Sequence, residues 1–162
     1  MDKLLDKMMK IVIQNAAAQR GYLILEKEGE MYIEAEGSVH NDETKMFTSF
    51  KLENSREISP YIIYYAQRTL NDVVLNDAVN EGMFMADPYI IKNRTKSVLC
   101  TPILSQGKLL GVLYLDNNLT TNAFTAERIK ILKILSSQAA ISLKNALLYE
   151  KMQELNKNLE KH

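Results

Sequence analysis

The sequence has little cysteine, no surplus of charge and no long apolar run, and each absence argues against a class of protein. One cysteine among 162 residues cannot form an internal disulfide, so we expect a reducing, cytoplasmic setting. Twenty basic and twenty acidic side chains give a formal net charge of zero. Without a basic surplus, we expect no nucleic-acid partner and no attraction to an anionic membrane.

The apolar runs are too short for a membrane segment, because a bilayer span needs about 20 residues. Charged residues also interrupt the amino-terminal apolar residues, namely Lys3, Asp6, Lys7 and Lys10. This segment is therefore predicted to be an amphipathic helix rather than a signal peptide, and no membrane insertion is expected. The apolar fraction of 46% suits one globular domain with helical extensions.

Patterns of a catalytic or metal site are also missing from the sequence. There is no Ser/His/Asp set and no pair of carboxylates beside a base, so we do not expect an enzyme. His40 has no second ligand at a metal-binding spacing. Asp72, Asp77 and Asp87 lie at expected strand ends and helix starts, where a carboxylate needs no metal.

The most informative segment is 96–150, where two apolar runs precede a long helix. The runs at 97–104 and 109–115 are joined by a polar turn containing Gly107, which predicts a β-hairpin. Neither run alternates between apolar and polar residues, so both faces of the sheet are expected to be covered. Such a sheet can hold a pocket on one face and an interface on the other, which suits a sensor better than a catalyst.

Shorter segments upstream predict the rest of the sheet. Ser55 and Ser59 are both candidate N-caps for a helix through 65–67, and Pro60 would suit the first helical position after a Ser59 cap. Asp87 before Pro88 predicts a further helix start. Residues 38–50 are polar and suggest a loose loop. Strands are expected at 21–26, 31–36 and 72–75.

The last helix is predicted from residue 126 onward, because no proline or glycine interrupts it. Two apolar stripes run along this helix. One repeats at alternating spacings of four and three residues, which is a heptad pattern: Ile134, Gln138, Ile141, Asn145, Leu148, Met152, Leu155 and Leu159. The other comprises Leu132, Leu135, Ala139, Leu143, Ala146 and Leu147.

We interpret one stripe as packing on the sheet and the other on a second copy of the chain. Past Tyr149 only the heptad stripe stays apolar, which is typical of a coiled coil that leaves a domain. A single amphipathic helix with a frayed end is the alternative. The predicted homodimer interface joins both terminal helices through Leu4, Met8, Ile11, Ile134, Ile141, Asn145, Leu148, Met152 and Leu155.

Several segments together resemble a GAF domain, a small-molecule sensory and dimerisation module. They are SVLCTPI at 97–103, GKLLGVLYLDN at 107–117, Phe124, and SSQAAISLKNALLY at 136–149, with weaker matches at 21–23, 58–59 and 72–77. The resemblance therefore spans nearly the whole chain. The segments 87–89 and 96–100 are similar to GAF domains inside very large bacterial signalling proteins.

The resemblance implies a fold of the α/β class in its α+β form, with a GAF/PAS-like antiparallel sheet. The terminal helices would pack on one face and a ligand-pocket segment on the other. It divides the chain into an amino-terminal helix over 1–19, the GAF domain over 20–149 and the start of an outgoing coiled coil over 150–162.

The resemblance also implies a function. In the large relatives a serine/threonine kinase-like domain and an NTPase region precede the module, and a sensor histidine kinase follows it. The module would relay the state of a ligand or partner through a dimeric helix to that adjoining output domain. A dimerisation and relay scaffold without a ligand is the alternative.

A small-molecule ligand is expected to meet a set of six side chains: Phe84, Met85, Tyr89, Ser97, Cys100 and Tyr114. Soft and aromatic side chains at 83–89 would roof a cavity, and a simple cap on the core is the alternative. Bilin-binding relatives carry their cysteine in a different segment, usually near a histidine. The sequence thus has no haem or bilin signature, and the cofactor stays unnamed. A GAF-type reductase of free methionine sulfoxide would need resolving thiols, which one cysteine cannot supply.

Overall fold

In the described residues, a six-stranded antiparallel sheet carries helices on both faces. The computed structural model describes the backbone of residues 2–39 and 41–160, and their side chains except at 2–6, 8, 16, 41–49, 139, 143 and 160. His40 lies outside these residues. The strand order is β3-β2-β1-β6-β5-β4, with every neighbouring pair antiparallel. The elements are α1 (Asp2–Ala16), β1 (Arg20–Lys27), β2 (Glu30–Ser38), β3 (Asn41–Lys51), a 3-10 turn (Leu52–Asn54), α2 (Pro60–Thr69), β4 (Val73–Leu75), α3 (Pro88–Asn93), β5 (Ser97–Ser105), β6 (Lys108–Asn117) and α4 (Ala126–Glu160).

Local sequence signals place several element ends. β5 and β6 form the predicted hairpin, and its turn residues Gln106 and Gly107 have φ of 52° and 78°, as a type I′ turn requires. Asp87 caps α3, because its carboxylate accepts a hydrogen bond from the backbone N–H of Tyr89. Thr125 likewise caps α4 through its side-chain oxygen. These predicted boundaries are confirmed.

One face of the sheet, here called the terminal-helix face, packs against α1 and α4. Its core consists of side chains that are each at most 6% exposed. Burial of each large aliphatic side chain among them adds about 1.5–3 kcal/mol to the free energy of unfolding. The members are Met9, Val12, Ile13, Ala18, Leu23, Leu25, Ala35, Leu99, Ile103, Leu113, Leu115, Ala123, Phe124, Leu132 and Ala140.

The opposite face, here called the α2 face, packs against α2, α3 and the segments around them. Alternate residues of one strand enter different cores, so Leu99 belongs to the terminal-helix face and Cys100 to the α2 face. This is why β5 and β6 are apolar without alternation, and the predicted covering of both faces is confirmed. The α2-face core includes Tyr22, Ile24, Ile33, Ile58, Ile62, Ile63, Ile90, Val98, Cys100, Val112 and Tyr114.

α4 carries apolar side chains on its outer side as well. Its inner side packs on the sheet through Leu132, with Leu135 partly buried against the same core. Ile134, Ile141, Leu148, Met152 and Leu155 of the heptad stripe are 50–63% exposed, and Asn145 is exposed beside them. The two stripes thus lie in different surroundings, and the dimer stays a prediction. Of the α1 residues expected at the interface, Ile11 is half-buried, and the side chains of Leu4 and Met8 lie outside the described set.

Two expectations about local structure were wrong. Residues 41–51 form β3 rather than a loose loop, and they pair with β2 through two register shifts. An edge strand pairs on one side only and can be polar, so the β3 sequence lacks the usual apolar signal. Ser59 does precede α2, but its hydroxyl donates a hydrogen bond to Asp87 instead of capping the helix.

The division of the chain into parts stays a prediction. α4 runs without interruption through residues 149 and 150, where the outgoing coiled coil was expected to begin. None of the helices in the described residues combines the length and apolarity that crossing a membrane requires.

Gly111 should be the most sensitive glycine of the sheet, because β1 passes directly against its backbone. A Cβ atom at this position would overlap the Ile24 carbonyl oxygen and lie 2.9 Å from Leu25 Cδ2. We expect Gly111→Ala to lower the free energy of unfolding by about 3 kcal/mol, as overpacking against rigid backbone does. Urea unfolding followed by circular dichroism measures this loss.

Gly29→Asn is the matched control for that substitution. Gly29 sits in the β1–β2 turn at φ 84° with nothing within 4 Å of an added Cβ, and asparagine tolerates this region of backbone space. The free energy of unfolding of this variant should fall by about 1 kcal/mol or less. Equal losses for the two variants would contradict the close approach of β1 and β6.

Candidate functional site

A buried ion pair lies at one end of the α2 face, where β1 begins and β6 ends. Arg20 and Asp116 are directly opposite each other in the β1–β6 register. Arg20 Nε donates to Asp116 Oδ1 at 3.0 Å, and a second guanidinium nitrogen donates to Oδ2. The Asp116 side chain has no solvent exposure. The two-point geometry makes this a strong pair, and it locks the ends of both strands together.

Two tyrosines extend this ion pair along the sheet. Tyr22 and Tyr114 are the next same-face residues of β1 and β6 and oppose each other directly. Their ring centroids are 6.0 Å apart at an interplanar angle of 62°. The Tyr114 hydroxyl donates to Asp116 Oδ2 at 3.1 Å, and Arg20 donates to the Tyr22 hydroxyl oxygen at 3.2 Å. Charge and aromatic packing therefore form one continuous network.

Two glutamates face the outer end of this network. The Tyr22 hydroxyl lies 3.1 Å from Glu36 Oε1 and 2.8 Å from Glu57 Oε2. A tyrosine hydroxyl has one proton, so it can donate to only one of the two carboxylates at a time. Arg20 also donates to the Glu57 carbonyl oxygen at 3.3 Å, which ties the segment before α2 to β1. The two carboxylates therefore share one hydroxyl proton at this position.

The buried groups keep the protonation states that this network needs. Burial alone would lower the pKa of Arg20, but its hydrogen bond to Asp116 and the Asp116 charge outweigh burial and raise it. Burial raises the pKa of Tyr22 although the Arg20 charge opposes the shift. Burial and the Asp116 charge raise the pKa of Tyr114. Arg20 therefore stays charged and both tyrosines stay neutral.

A cleft of about 300 Å³ opens beside the glutamates. Carboxylates on one wall and aromatic and aliphatic surface on another suit a small molecule with an ammonium, guanidinium or N–H group and an apolar body. The lining residues are Tyr22, Ile33, Glu36, Phe50, Asn54, Ser55, Arg56 and Glu57.

The structure distributes the predicted ligand residues over different surroundings. Cys100 and Tyr114 are at most 1% exposed inside the α2-face core. Phe84 packs against the same core, with its ring centroid 6.1 Å from that of Tyr65. Tyr89 donates its hydroxyl to the Ser55 carbonyl oxygen at 3.0 Å and so supports a wall of the cleft. Met85 is 45% exposed, so it does not roof the core.

Ser97 lies apart from the other predicted ligand residues. It is two residues before Leu99 and shares the terminal-helix face with it. Its hydroxyl donates to the Thr120 carbonyl oxygen at 2.6 Å and accepts from the Ala123 N–H at 3.0 Å. These bonds hold the β6–α4 loop against β5, and we leave Ser97 out of the proposed site.

Cys100 is in a poor position for thiol chemistry. It is fully buried in the middle of β5 and has no disulfide partner. Burial raises the pKa of its thiol, and the charge of Asp72 adds to the shift. Because the thiolate is the reactive form, this environment suppresses nucleophilic and redox reactions.

Sequence reasoning missed the residues that line the cleft and its network. Arg20 and Tyr22 are two residues apart on β1, and Tyr114 and Asp116 are two residues apart on β6, so each pair lies on one face near the end of an apolar strand. These polar residues at the ends of apolar strands were the signal in the sequence that could have indicated the network. Glu36 and Glu57 are 21 residues apart in irregularly paired or loop segments, and only the fold brings them to one hydroxyl.

Comparison with known proteins identifies a family from the sequence. The profile of the GAF domain family matches residues 1–143. A hybrid signal transduction histidine kinase G from Dictyostelium discoideum is 43% identical over 94 residues, or 58% of this chain. The chain spans only 3% of the length of that relative.

Solved structures share the architecture at low sequence identity. The GAF domain of a two-component sensor histidine kinase from Bacillus halodurans gives a TM-score of 0.69 at 16% identity, covering 93% of this chain and 97% of that one. A type II free methionine-R-sulfoxide reductase from Thermoplasma acidophilum gives 0.62 at 15% identity, covering 86% and 89%. These identities support a common fold only. With the family profile matching most of its length and the same sheet and helices in place, this chain belongs to the GAF domain family.

Proposed function

We propose that this GAF domain is a cytoplasmic sensory module of a signal-transduction protein. In this proposal it forms a homodimer through its terminal helices and passes the state of the α2-face cleft through α4 to an adjoining output domain. A histidine kinase is the proposed output, because the curated relative in Dictyostelium discoideum carries that name. The domain itself is proposed to have no catalytic activity.

The exposed stripe of α4 is the observation that carries the relay proposal. α4 has 35 residues, which corresponds to a length of about 52 Å. Its first turns are anchored in the core by Leu132, while Leu148, Met152 and Leu155 are at least half exposed. A monomer gains nothing from such a stripe, whereas a second α4 would bury it at heptad spacing.

The polar residues on and beside the stripe favour a parallel pair of helices. Asn145 occupies a seam position. A buried asparagine there favours a coiled coil of two helices in one register, at a cost in stability. Beyond Tyr149, Lys151 lies next to the seam, and the remaining charged side chains Glu150, Glu154 and Lys157 fall at the outer heptad positions that face solvent in a coiled coil. A change at the domain could then alter the register or the angle of the pair.

Leu148→Lys tests the dimer. It places a charge on the stripe at a residue that is already 50% exposed in the monomer, so the domain should remain folded. Losing one buried leucine contact is expected to weaken self-association by roughly tenfold or more. Sedimentation velocity over a concentration series measures the association, and circular dichroism checks the fold.

Gln153→Lys is the matched control, because it adds the same charge to an exposed residue of α4 off the seam. This variant should associate like the unchanged chain. A strictly monomeric parent chain, or equal weakening in both variants, would rule out the proposed interface.

The α2-face cleft is the proposed sensing site. Glu36 and Glu57 provide acceptors beside the Tyr22 hydroxyl, and Arg20 donates both to that hydroxyl and to the Glu57 carbonyl oxygen. Tyr89 connects the same wall to α3 through its bond to Ser55. A ligand here would therefore act on β1 and β2, which pack against α1 on their other face, and α1 in turn packs against α4.

A thermal-shift screen of small amines and guanidines tests the sensing site. At about one hundred times its dissociation constant, a ligand should stabilise the fold by roughly 2.7 kcal/mol. Glu57→Gln should weaken a true hit by about tenfold, since it removes a charge-assisted hydrogen bond. Glu53→Gln, an exposed residue of the neighbouring turn outside the cleft lining, should leave the affinity unchanged.

A ligand-free dimerisation and relay scaffold is the second candidate function. The observation in its favour is that the α2-face core is filled, with Tyr22, Cys100 and Tyr114 each at most 1% exposed. A screen without hits, together with a dimer that Leu148→Lys weakens, would favour this scaffold over the sensor.

The buried thiol leads us to propose that the reductase chemistry of the Thermoplasma acidophilum relative is absent here. We expect Cys100 to react with a disulfide reagent at least about a hundredfold more slowly in the native chain than in urea, because reaction needs exposure and a thiolate. Absorbance of the released thiolate measures the rate. The control is the Ser137→Cys variant, which has an exposed second thiol in addition to Cys100. This second thiol should react at once. Fast reaction of native Cys100 would reopen a redox role.

A further inference from the structure

A second cleft lies at the β4–β5 edge of the sheet. It is bounded by the connection from α2 to β4, by the end of β5 and by α4. Its volume is about 230 Å³. One wall is apolar and consists of Leu70, Pro102, Ile103 and Leu104. The other wall is polar and consists of Asp72, Thr101, Lys133, Ser136 and Ser137. None of these residues lines the cleft of the proposed sensing site.

Ser136 is the unusual member of the polar wall. It is only 6% exposed, yet its hydroxyl has no hydrogen-bond partner in the described part of the chain. A buried hydroxyl without a partner is unfavourable, and a helical serine commonly bonds back to its own helix. The neighbouring Ser137 does so, donating to the Lys133 carbonyl oxygen at 3.0 Å. The Ser136 hydroxyl is therefore available to a molecule in the cleft.

Opposite charges stand beside this hydroxyl. Lys133 Nζ lies 2.7 Å from Asp72 Oδ2, and the Thr101 hydroxyl donates to Asp72 Oδ1 at 2.7 Å. The Lys133 side chain is 58% exposed, so the ion pair is weak and its partners can be exchanged at little cost. A ligand with both charges would replace each partner, with its carboxylate at Lys133 and its ammonium at Asp72.

The edge of β5 adds backbone groups to the same wall. β4 pairs with β5 only over residues 98–100, so in the described residues the outer edge of Thr101 to Leu104 has no strand partner. Pro102 contributes a carbonyl oxygen and no N–H. Free strand-edge groups of this kind form hydrogen bonds with the main-chain groups of peptide-like ligands.

We propose that this cleft binds a free amino acid with a small apolar side chain. Its carboxylate bonds to Lys133 and the Ser136 hydroxyl, its ammonium group to Asp72, and its side chain lies on Leu70, Pro102 and Leu104. The inference does not rest on the proposed function, since it needs neither a dimer nor a ligand at the α2 face. The cleft does join α4 to the connection after α2.

The test is a titration of the isotope-labelled chain with L-alanine, L-valine, L-leucine and L-methionine at millimolar concentrations, followed by two-dimensional NMR. At least one amino acid should give saturable shifts at residues 70–72, 101–104 and 133–137. Two analogues of that amino acid serve as controls: an amine without the carboxylate, and a carboxylic acid without the ammonium group. Each analogue should bind at least about tenfold more weakly than the amino acid. No saturable shift with any of the four, or equal binding of a single-charge analogue, overturns the proposal.

Two serine variants separate the hydroxyl from the general shape of the cleft. Ser136→Ala should reduce the affinity by roughly tenfold, while its melting temperature stays equal or rises, because a buried polar group without a partner has been removed from a helix. Ser137→Ala, one residue away, should bind within about twofold of the unchanged chain. Unchanged affinity in Ser136→Ala, or shifts confined to the cleft beside Glu57, also overturns the assignment.

Discussion

The pairing of β1 with β6 is the constraint on which the rest of this structure depends. These two strands are the centre of the sheet and join the meander β1–β2–β3 to the strands β4, β5 and β6. The pairing unites residues about ninety positions apart, so its entropic cost must be met by specific contacts. The Arg20–Asp116 ion pair, the facing tyrosines and the close approach at Gly111 supply them. Without this pairing neither core could close.

The central pairing also decides where ligand chemistry is possible. Both sheet faces are covered, so the middle of each face is filled with side chains such as Cys100 and Leu99. Polar groups that can meet a ligand lie at the periphery, among them the glutamates beside Tyr22 at one end and the Ser136 hydroxyl at the β5 edge. A buried polar group must be bonded or exposed to a ligand, which is why the two clefts coincide with these positions.

α4 connects these local features to the proposed output. Leu132 ties the helix to the core of the terminal-helix face, Lys133 reaches Asp72 at the sheet edge, and Leu148 faces outward with the rest of the heptad stripe. A helix transmits displacement along its axis because its backbone hydrogen bonds make it stiff. In the proposed function, α4 is the element that carries a change in the domain to the output.

The sequence by itself determined the hairpin, the helix starts at Pro88 and Ala126, the two covered faces and the division of α4 into two stripes, because all of these follow from local spacing and turn chemistry. β3 escaped prediction because an edge strand can remain polar. Only the tertiary structure decided that Ser97 faces the terminal helices, that Met85 points to solvent, and that Glu36 and Glu57 meet at the Tyr22 hydroxyl. Such sites depend on strand register and on contacts between distant segments, and periodicity along the chain carries no information about either.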